Sequence, residues 1–150
     1  MKSSSICISL FGLCCLCSPY GFSSDVEFEK HQIATFADGP QKVVTADIDG
    51  DGDIDILSSA TGIKIWENIG NREFTRHTIV GGIGAVISVK AEDIDSDGDL
   101  DIAAACYDAQ SIMWWENTGD LTFVEHVVDN SFAGAHDVYV KDINGDGSPD

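Results

Sequence analysis

Residues 47–55 read DIDGDGDID, and this stretch, with five aspartates among nine residues, is the one from which the fold can be worked out. It recurs as DIDSDGDLD at residues 93–101 and as DINGDGSPD at residues 142–150. Five like charges in so short a stretch repel one another unless a cation lies among them. Calcium takes about six to eight oxygen ligands and accepts carboxylates and backbone carbonyls together. The spacing therefore predicts three calcium-binding loops.

Each loop is expected to offer side-chain oxygens from its first, third, fifth and ninth residues and a backbone carbonyl from its seventh. The side-chain ligands would be Asp47, Asp49, Asp51 and Asp55, then Asp93, Asp95, Asp97 and Asp101, then Asp142, Asn144, Asp146 and Asp150. The carbonyls would be those of Asp53, Asp99 and Ser148. Because Asn144 is neutral, the third site is expected to be the weakest.

Two alternatives compete with these calcium loops. Aspartate and glycine also favour ordinary surface turns, but three copies in register make that interpretation weaker. An EF-hand needs a glutamate at the twelfth position of its loop and a helix on either side. Here the twelfth positions are Ser58 and Ala104, and the flanking residues alternate as strands do.

The first 23 residues have the features of a secretory signal. One lysine precedes a mostly apolar run from Ile6 to Cys17, and small residues follow. We expect residues 1–23 to be a signal peptide and residues 24–150 to be a region of repeats that forms the N-terminal part of a longer chain. Removal of the signal would leave Cys106 as the one cysteine, which cannot form an internal disulfide and is expected to be a small buried thiol.

The composition is strongly acidic, with 26 acidic residues, 8 basic residues and a formal charge of −18. Thirteen of the acidic residues lie inside the three loops, so half of the acidity is assigned to the expected metal sites. The remaining charge disfavours binding to nucleic acid phosphates and to anionic membranes. We expect no nucleic acid partner and no membrane insertion.

The repeat extends beyond the acidic loops. The sequence WENIGN at Trp66–Asn71 matches WENTGD at Trp115–Asp120 at an offset of 49 residues, and the loop starts Asp47 and Asp93 are 46 residues apart. One period contains four short strand patterns, which is typical of a β-propeller blade. The predicted strands are Val43–Ala46, Ile54–Leu57, Ile63–Trp66 and Phe74–Ile79, then Ile87–Ala91, Leu100–Cys106, Ile112–Trp115 and Phe123–Val128.

The two complete units are flanked by partial ones. Val26–Ile33 is predicted to be the last strand of a preceding blade, and Val138 and Val140 alternate as the start of a following one. Two full blades and two partial ones cannot close a ring, since propellers typically have about four to eight blades. The prediction is an all-β fold of incomplete four-stranded antiparallel blades, completed by a longer chain or by other copies.

With these motifs in place, the sequence from about Val26 to Asp150 resembles the FG-GAP/VCBS repeat family, which includes the integrin α-subunit propellers. In that family, Asp-x-Asp-x-Asp-Gly-x-x-Asp loops join the first two strands of each blade. The Phe-Gly and Gly-Ala-Pro elements of the integrin type are poorly kept here, with Phe132–Ala135 as the nearest approach. The VCBS-like form is the better match, which weakens the case for an integrin-like role in cell adhesion.

The remaining candidates for chemistry are histidines and one tryptophan. His31, His77 and His126 occupy one equivalent position in successive units, so a role in the repeat is favoured over catalysis. Trp114 stands where the preceding unit has Ile65, and an extra indole is a weak indication of a binding surface.

His136 and Asp137 also break the repeat, but neighbouring residues on a strand point to opposite faces, so they are not expected to act as a couple. No catalytic residue is assigned, and an enzyme is the less favoured interpretation.

The function expected from the sequence is a secreted or cell-surface, calcium-stabilised β-propeller repeat module that binds a glycan or an extracellular protein. Two alternatives stay open. The resemblance also allows the propeller portion of a polysaccharide-active lyase or dehydratase, and a purely architectural cell-surface repeat.

Overall fold

The computed structural model describes residues 29–33 and 39–150, and every regular element within them is a β-strand. The expected signal peptide, residues 1–23, lies outside the described residues, as do Val26–Phe28 of the first predicted strand. Residues 29–33 form no strand, so the described part of that prediction is wrong. Both sheets lie in one compact unit, Gln32–Asp150.

Eight strands form two four-stranded antiparallel sheets in which each strand pairs with the next along the chain. The first sheet consists of β1 (Lys42–Ala46), β2 (Asp55–Ser59), β3 (Gly62–Asn68) and β4 (Phe74–Gly81). The second consists of β5 (Val86–Glu92), β6 (Asp101–Cys106), β7 (Ser111–Asn117) and β8 (Phe123–Asp129). All eight strands predicted within the two units are confirmed, with ends that differ by no more than two residues. We call the two sheets blade 1 and blade 2.

The core lies where blade 1 packs face to face on blade 2. Leu57, Ile63 and Ile65 of blade 1 are fully buried there, since alternate residues of their strands share one face. Ile102 and Ala104 of blade 2 are also fully buried in the same cluster. Every residue of β6 is buried on both faces, as its run of small side chains permits.

Cys106 lies at the end of β6 and is a buried free thiol, as expected. Burial raises its pKa to about 11, so it stays protonated at neutral pH. A buried, protonated thiol is a poor nucleophile, and Cys106 serves the packing of the core.

The repeat extends to an irregularity in the sheets. The register between the third and fourth strands shifts at Ile63/Lys64 in blade 1 and at Ile112/Met113 in blade 2. These positions are 49 residues apart, which is the offset of the turn motif. A bulge at the same place in both sheets shows that the blades share local twist as well as strand order.

The expected start of a third blade is only partly formed. Val138 and Val140 lie in a segment without strand assignment, so the predicted strand is absent there. Asp150 N donates to Lys141 O at 3.0 Å, and this bond corresponds to the pairing of Ala46 with Asp55 between β1 and β2 of blade 1.

Candidate metal centres

The first two acidic loops each gather three carboxylates at the connection between the first two strands of a blade. One oxygen from each of Asp47, Asp49 and Asp55 lies within 4.8 Å of the other two, and the second loop gathers Asp93, Asp95 and Asp101 in the same way. The chain can turn this sharply because glycine occupies the sixth position with positive φ, 95° at Gly52 and 102° at Gly98. We call these groups cluster 1 and cluster 2.

The ninth residue of each of the first two loops, which we call the closing aspartate, is fully buried and connects two segments that are distant in sequence. Asp55 accepts hydrogen bonds from Ile48 N at 2.9 Å and from Asn68 N at 2.8 Å, one on each carboxylate oxygen. Asp101 does the same for Ile94 N and Asn117 N, both at 2.8 Å. The carboxylate therefore joins the start of the acidic loop to the end of the third strand.

The asparagine of the Trp-Glu-Asn-x-Gly motif completes this connection. Asn68 Nδ2 donates to Ile54 O at 3.2 Å, and its Oδ1 accepts from Gly70 N at 3.1 Å. Asn117 makes the corresponding bonds with Leu100 O and Gly119 N. The two motifs that recur in this sequence are thus two halves of one structure, which we call the aspartate–asparagine clamp.

Clusters 1 and 2 fit a hard cation because each leaves one buried anionic oxygen without a donor. Gly52 N and Gly98 N donate to one oxygen of Asp47 and Asp93, at 3.1 and 3.2 Å. The other oxygen of each carboxylate is buried and has no hydrogen-bond partner among the described residues. An unpaired buried anionic oxygen is costly. An all-oxygen donor set of carboxylates is the chemistry that calcium prefers.

The electrostatics of the clusters favour such a cation. Burial raises the pKa of Asp49, and the charges of Asp55, Asp51 and Glu67 raise it further, against a backbone hydrogen bond from Asp51 that lowers it. Burial likewise raises the pKa of Asp101, with the charges of Asp95 and Asp97 adding to it against two backbone hydrogen bonds. Both carboxylates are therefore held in surroundings that disfavour their charge, which a bound cation would relieve.

The third loop keeps equivalents of several of these bonds, such as those from Ile143 N to Asp150 and from Gly147 N to Asp142, but differs in its exposure and in the donors to its first aspartate. Within residues 29–33 and 39–150, no third group of three acidic side chains comes as close together as clusters 1 and 2. Asp142 instead accepts backbone hydrogen bonds from Gly145, Asp146 and Gly147. The bonds from Gly147 and Gly145 lower the pKa of Asp142, so its charge is already stabilised by the loop itself. All of its predicted ligands are exposed: Asp142, Asn144, Asp146, Ser148 and Asp150.

The structure thus brings together three of the four side chains predicted for each of the first two loops. The fourth side chain is that of Asp51 in the first loop and of Asp97 in the second, and both are exposed. Asp51 accepts a hydrogen bond from Asp53 N at 2.8 Å, and Asp97 accepts one from Asp99 N at 2.9 Å. Asp53 and Asp99 are exposed as well. The assignment of every one of these residues as a ligand stays a prediction.

Sequence reasoning missed the partners of the recurring histidines. His77 Nε2 lies 2.5 Å from Glu67 Oε2, and His126 Nε2 lies 2.7 Å from Glu116 Oε2. Both glutamates belong to the Trp-Glu-Asn-x-Gly motif and recur at the same offset as the two histidines. That shared offset could have indicated that each histidine pairs with a glutamate. The pairs join the third strand to the fourth in each blade, which accounts for their recurrence.

Trp114 has a packing partner within its own blade. Its ring stacks on that of His126, with 4.4 Å between ring centroids and 17° between ring planes. The side chain is half-buried. The extra indole is therefore explained by contact with the outer strand.

Comparison with known proteins identifies the repeat. The family model described as FG-GAP-like repeat matches twice, at residues 47–104 and 93–150. Each match begins at the first aspartate of an acidic loop. Comparison with curated proteins and with solved structures finds no match. None of the described residues forms a helix long and apolar enough to cross a membrane.

Proposed function

We propose that this chain, which belongs to the FG-GAP-like repeat family, uses its acidic loops to bind calcium as a structural ion and presents its blades to an extracellular ligand. The chain is a β-propeller-type repeat module with two four-stranded blades in its described part. The observation that carries the calcium proposal is the buried, unpartnered oxygen of Asp47 and of Asp93.

Calcium would be held by Asp47, Asp49 and Asp55 in cluster 1 and by Asp93, Asp95 and Asp101 in cluster 2. The ion would neutralise part of the clustered charge and fix the connection between the first two strands of each blade. Because Asp55 and Asp101 also belong to the clamps, fixing the loop also fixes the end of the third strand. Calcium thus acts on the stability of the whole blade.

An extracellular location suits both the chain and the ion. Residues 1–23 have the pattern of a secretory signal, and residues 24–150 would form the repeat module after its removal. Extracellular calcium modules work with dissociation constants of about 10⁻⁴ to 10⁻³ M. A loop with one solvent-facing side would be occupied by calcium outside the cell even with a dissociation constant in this range.

The ligand is proposed to be a glycan or an extracellular protein, bound without chemical change. The recurring histidines and glutamates pair with one another in each blade. That recurrence favours a scaffold over a catalytic centre, since equivalent residues lie a full blade apart.

The test of the calcium proposal is thermal unfolding in calcium and after chelation, for the wild type and for Asp49→Ala and Asp95→Ala. Chelation is expected to lower the melting temperature of the wild type, and each substitution to remove part of that difference. The matched control is Glu125→Ala, which removes an exposed carboxylate from β8, outside the loops. A wild type that melts alike with and without calcium contradicts the proposal, as does an Asp49→Ala variant with unchanged calcium dependence.

A further inference from the structure

Ile48 lies between two predicted ligands of cluster 1, Asp47 and Asp49, and its backbone is bonded to both blades. Ile48 N donates to Asp55 of blade 1 at 2.9 Å. Ile48 O accepts a hydrogen bond from Asn117 Nδ2 of blade 2 at 3.2 Å. Because peptide units are planar, a movement of Ile48 N or Ile48 O moves the neighbouring residue as well. The arrangement of cluster 1 therefore depends on a side chain of the other blade.

The side chain of Ile48 adds apolar packing to this hydrogen bond. It is 2% exposed and belongs to the core cluster that the two blades share. The same core cluster contains Trp115, which lies two residues before Asn117 on β7 and so faces the same side of the sheet. The first acidic loop is thus packed against the strand that carries the hydrogen-bond donor.

Asn117 also belongs to the clamp of blade 2. Asn117 N donates to Asp101 at 2.8 Å, and Asp101 accepts a second hydrogen bond from Ile94 N at 2.8 Å. Ile94 stands between two aspartates of cluster 2, as Ile48 does in cluster 1. One unbroken series of hydrogen bonds therefore joins the middle of cluster 2 to cluster 1, through Ile94, Asp101, Asn117, Ile48 and Asp55.

The turn that joins β7 to β8, residues 118–122, provides a second contact with the first acidic loop. It follows directly after the clamp asparagine of blade 2, whose side chain accepts a hydrogen bond from it. Leu121 of this turn packs against the core. Asp120 and Leu121 line a cavity of about 280 Å³ together with blade 1 side chains that include Asp49 and Asp51. Whatever orders the clamp of blade 2 also orders this turn beside cluster 1.

An ion in one cluster would order residues on which the other cluster depends. Without a cation, the carboxylates of each cluster repel one another, and this repulsion opposes the ordered loop. An ion that holds Asp101 in cluster 2 would also fix Asn117, and through it Ile48. Less conformational entropy is then lost when a second ion binds, so the second ion binds more tightly.

We propose that clusters 1 and 2 bind calcium with positive cooperativity, coupled through Asn117. The proposal rests on the proposed calcium role and adds how the two sites influence each other. An ion in either cluster raises the affinity of the other about 25-fold, and linkage makes this factor the same in both directions. The two blades therefore become ordered by calcium together, over one narrow range of concentration.

The test is a calcium titration of the metal-free protein followed by ¹H–¹⁵N NMR. The amides of Gly52 and Gly98 report on the clusters separately, because each donates to the first aspartate of its own loop. Asp95→Ala removes a carboxylate from cluster 2, and Asp49→Ala removes one from cluster 1. Each is expected to lower the apparent affinity of the other cluster about fivefold, the square root of the coupling factor for two sites of similar affinity. Glu125→Gln controls for the loss of charge, since Glu125 is exposed and lies outside the loops, and it should change neither midpoint.

The role of Asn117 is tested by Asn117→Ala, which removes the bond to Ile48 O. In this background, a substitution in one cluster should no longer change the affinity of the other. Asn68→Ala is the matched control, because the side-chain amide of Asn68 donates to Ile54 O of its own blade, and the coupling should persist. A further measurement leaves Asn117 intact: in Asp49→Ala, calcium should slow hydrogen exchange at Ile48 N more than at the amides of β4.

The possible failures are distinguishable. If calcium shifts neither glycine resonance, the calcium role falls and the cooperativity falls with it. If calcium shifts both resonances, but each midpoint ignores the substitution in the other cluster, the calcium role stands and the cooperativity is overturned. Coupling that persists undiminished in Asn117→Ala, or exchange at Ile48 N that calcium slows no more than at β4, would overturn the path through Asn117.

Discussion

The first two acidic loops and the third have nearly the same sequence pattern but different surroundings. In the first two, the closing aspartate is fully buried and is clamped to an asparagine at the end of the third strand. In the third, the closing Asp150 is exposed and accepts hydrogen bonds from Ile143 and Asn144 within its own loop.

This difference indicates that the hydrogen bonds to the first aspartate decide how much an acidic loop would gain from a cation. Asp47 and Asp93 each keep a buried oxygen without a donor, whereas Asp142 has its oxygens satisfied by three backbone N–H groups. The third loop stabilises the charge of its first aspartate with its own backbone, so this carboxylate has less need of an ion. The donors to the first aspartate therefore distinguish the third loop from the first two.

The largest effect is expected from removing the closing carboxylate of a clamped loop. Asp55→Ala leaves Ile48 N and Asn68 N without their acceptor, and Asp55 is fully buried. Each buried unpaired N–H costs about 1–3 kcal/mol, so the loss of the acceptor for both should lower the free energy of unfolding by about 2–6 kcal/mol in chemical denaturation. Asp150→Ala is the matched control and should cause a much smaller loss. Equal losses would show that the clamp is not what distinguishes the loops.

Acidification should remove the calcium-dependent stability of the clamped loops first. The pKa values of Asp49 and Asp101 are raised above 3.8 in the folded protein, so these groups take up protons at a higher pH than in the unfolded chain. Protonation stabilises the metal-free fold there and competes with calcium. The pKa of Asp142 is lowered, so its charge persists below that range.

The measurement is the difference in melting temperature with and without calcium, followed from about pH 7 to about pH 4. A ligand present at 100 times its dissociation constant contributes about 2.7 kcal/mol. That gain should begin to fall before the pH reaches 3.8, the ordinary value for an aspartate, because the raised pKa lets a proton compete with calcium above this pH. A calcium effect that stays constant down to this pH would contradict the raised pKa values.

A smaller effect is expected from the clamp asparagine that joins the two blades. Asn117 Nδ2 donates to Ile48 O of the first loop at 3.2 Å as well as to Leu100 O of its own blade. Asn117→Ala should lower the free energy of unfolding by about 1–3 kcal/mol, because Asn117 is 2% exposed and its loss leaves two carbonyls unpaired.

Asn68→Ala is the comparison, since Asn68 is less buried and its side-chain amide donates to Ile54 O of its own blade. We expect a smaller loss, and no change in calcium affinity at cluster 2. Asn117→Ala should weaken calcium binding at both clusters. If it weakened cluster 2 alone, the bond to Ile48 O would carry no coupling between the blades.

The smallest effect is expected from a substitution that adds a charge to the third loop and leaves its hydrogen bonds otherwise unchanged. Asn144→Asp gives the third loop the carboxylate that the first two have at this position. An added exposed charge is worth about 1 kcal/mol, so calcium affinity of the third loop should rise about fivefold and stay below that of the clamped loops. An affinity equal to theirs would mean that charge alone makes the difference.

Much of the fold could be predicted because its signals are local. Short apolar or alternating runs indicated β1 to β8, and the spacing of aspartate and glycine placed the loops between the right strands. The repeat supported the strand assignment of each unit, since the motif that begins at Trp66 recurs at Trp115.

What escaped prediction depends on residues far apart in sequence. The bond from Asn68 N to Asp55 spans 13 residues and that from Asn117 to Ile48 spans 69, so no short pattern shows them. The strand expected at Val138 and Val140 failed for the same reason, because pairing is decided by a partner and not by alternation alone. The exposure of the third loop likewise follows from its surroundings.

The most direct test of the difference between the loops is to titrate calcium into the metal-free wild type and to measure the heat of binding by isothermal titration calorimetry. Two sites of similar affinity are expected, with a third that is weaker by about tenfold, because Asp47 and Asp93 each keep a buried, unpaired oxygen and Asn144 leaves the third loop one carboxylate short. Three equivalent sites, or no heat of binding at all, would contradict the account.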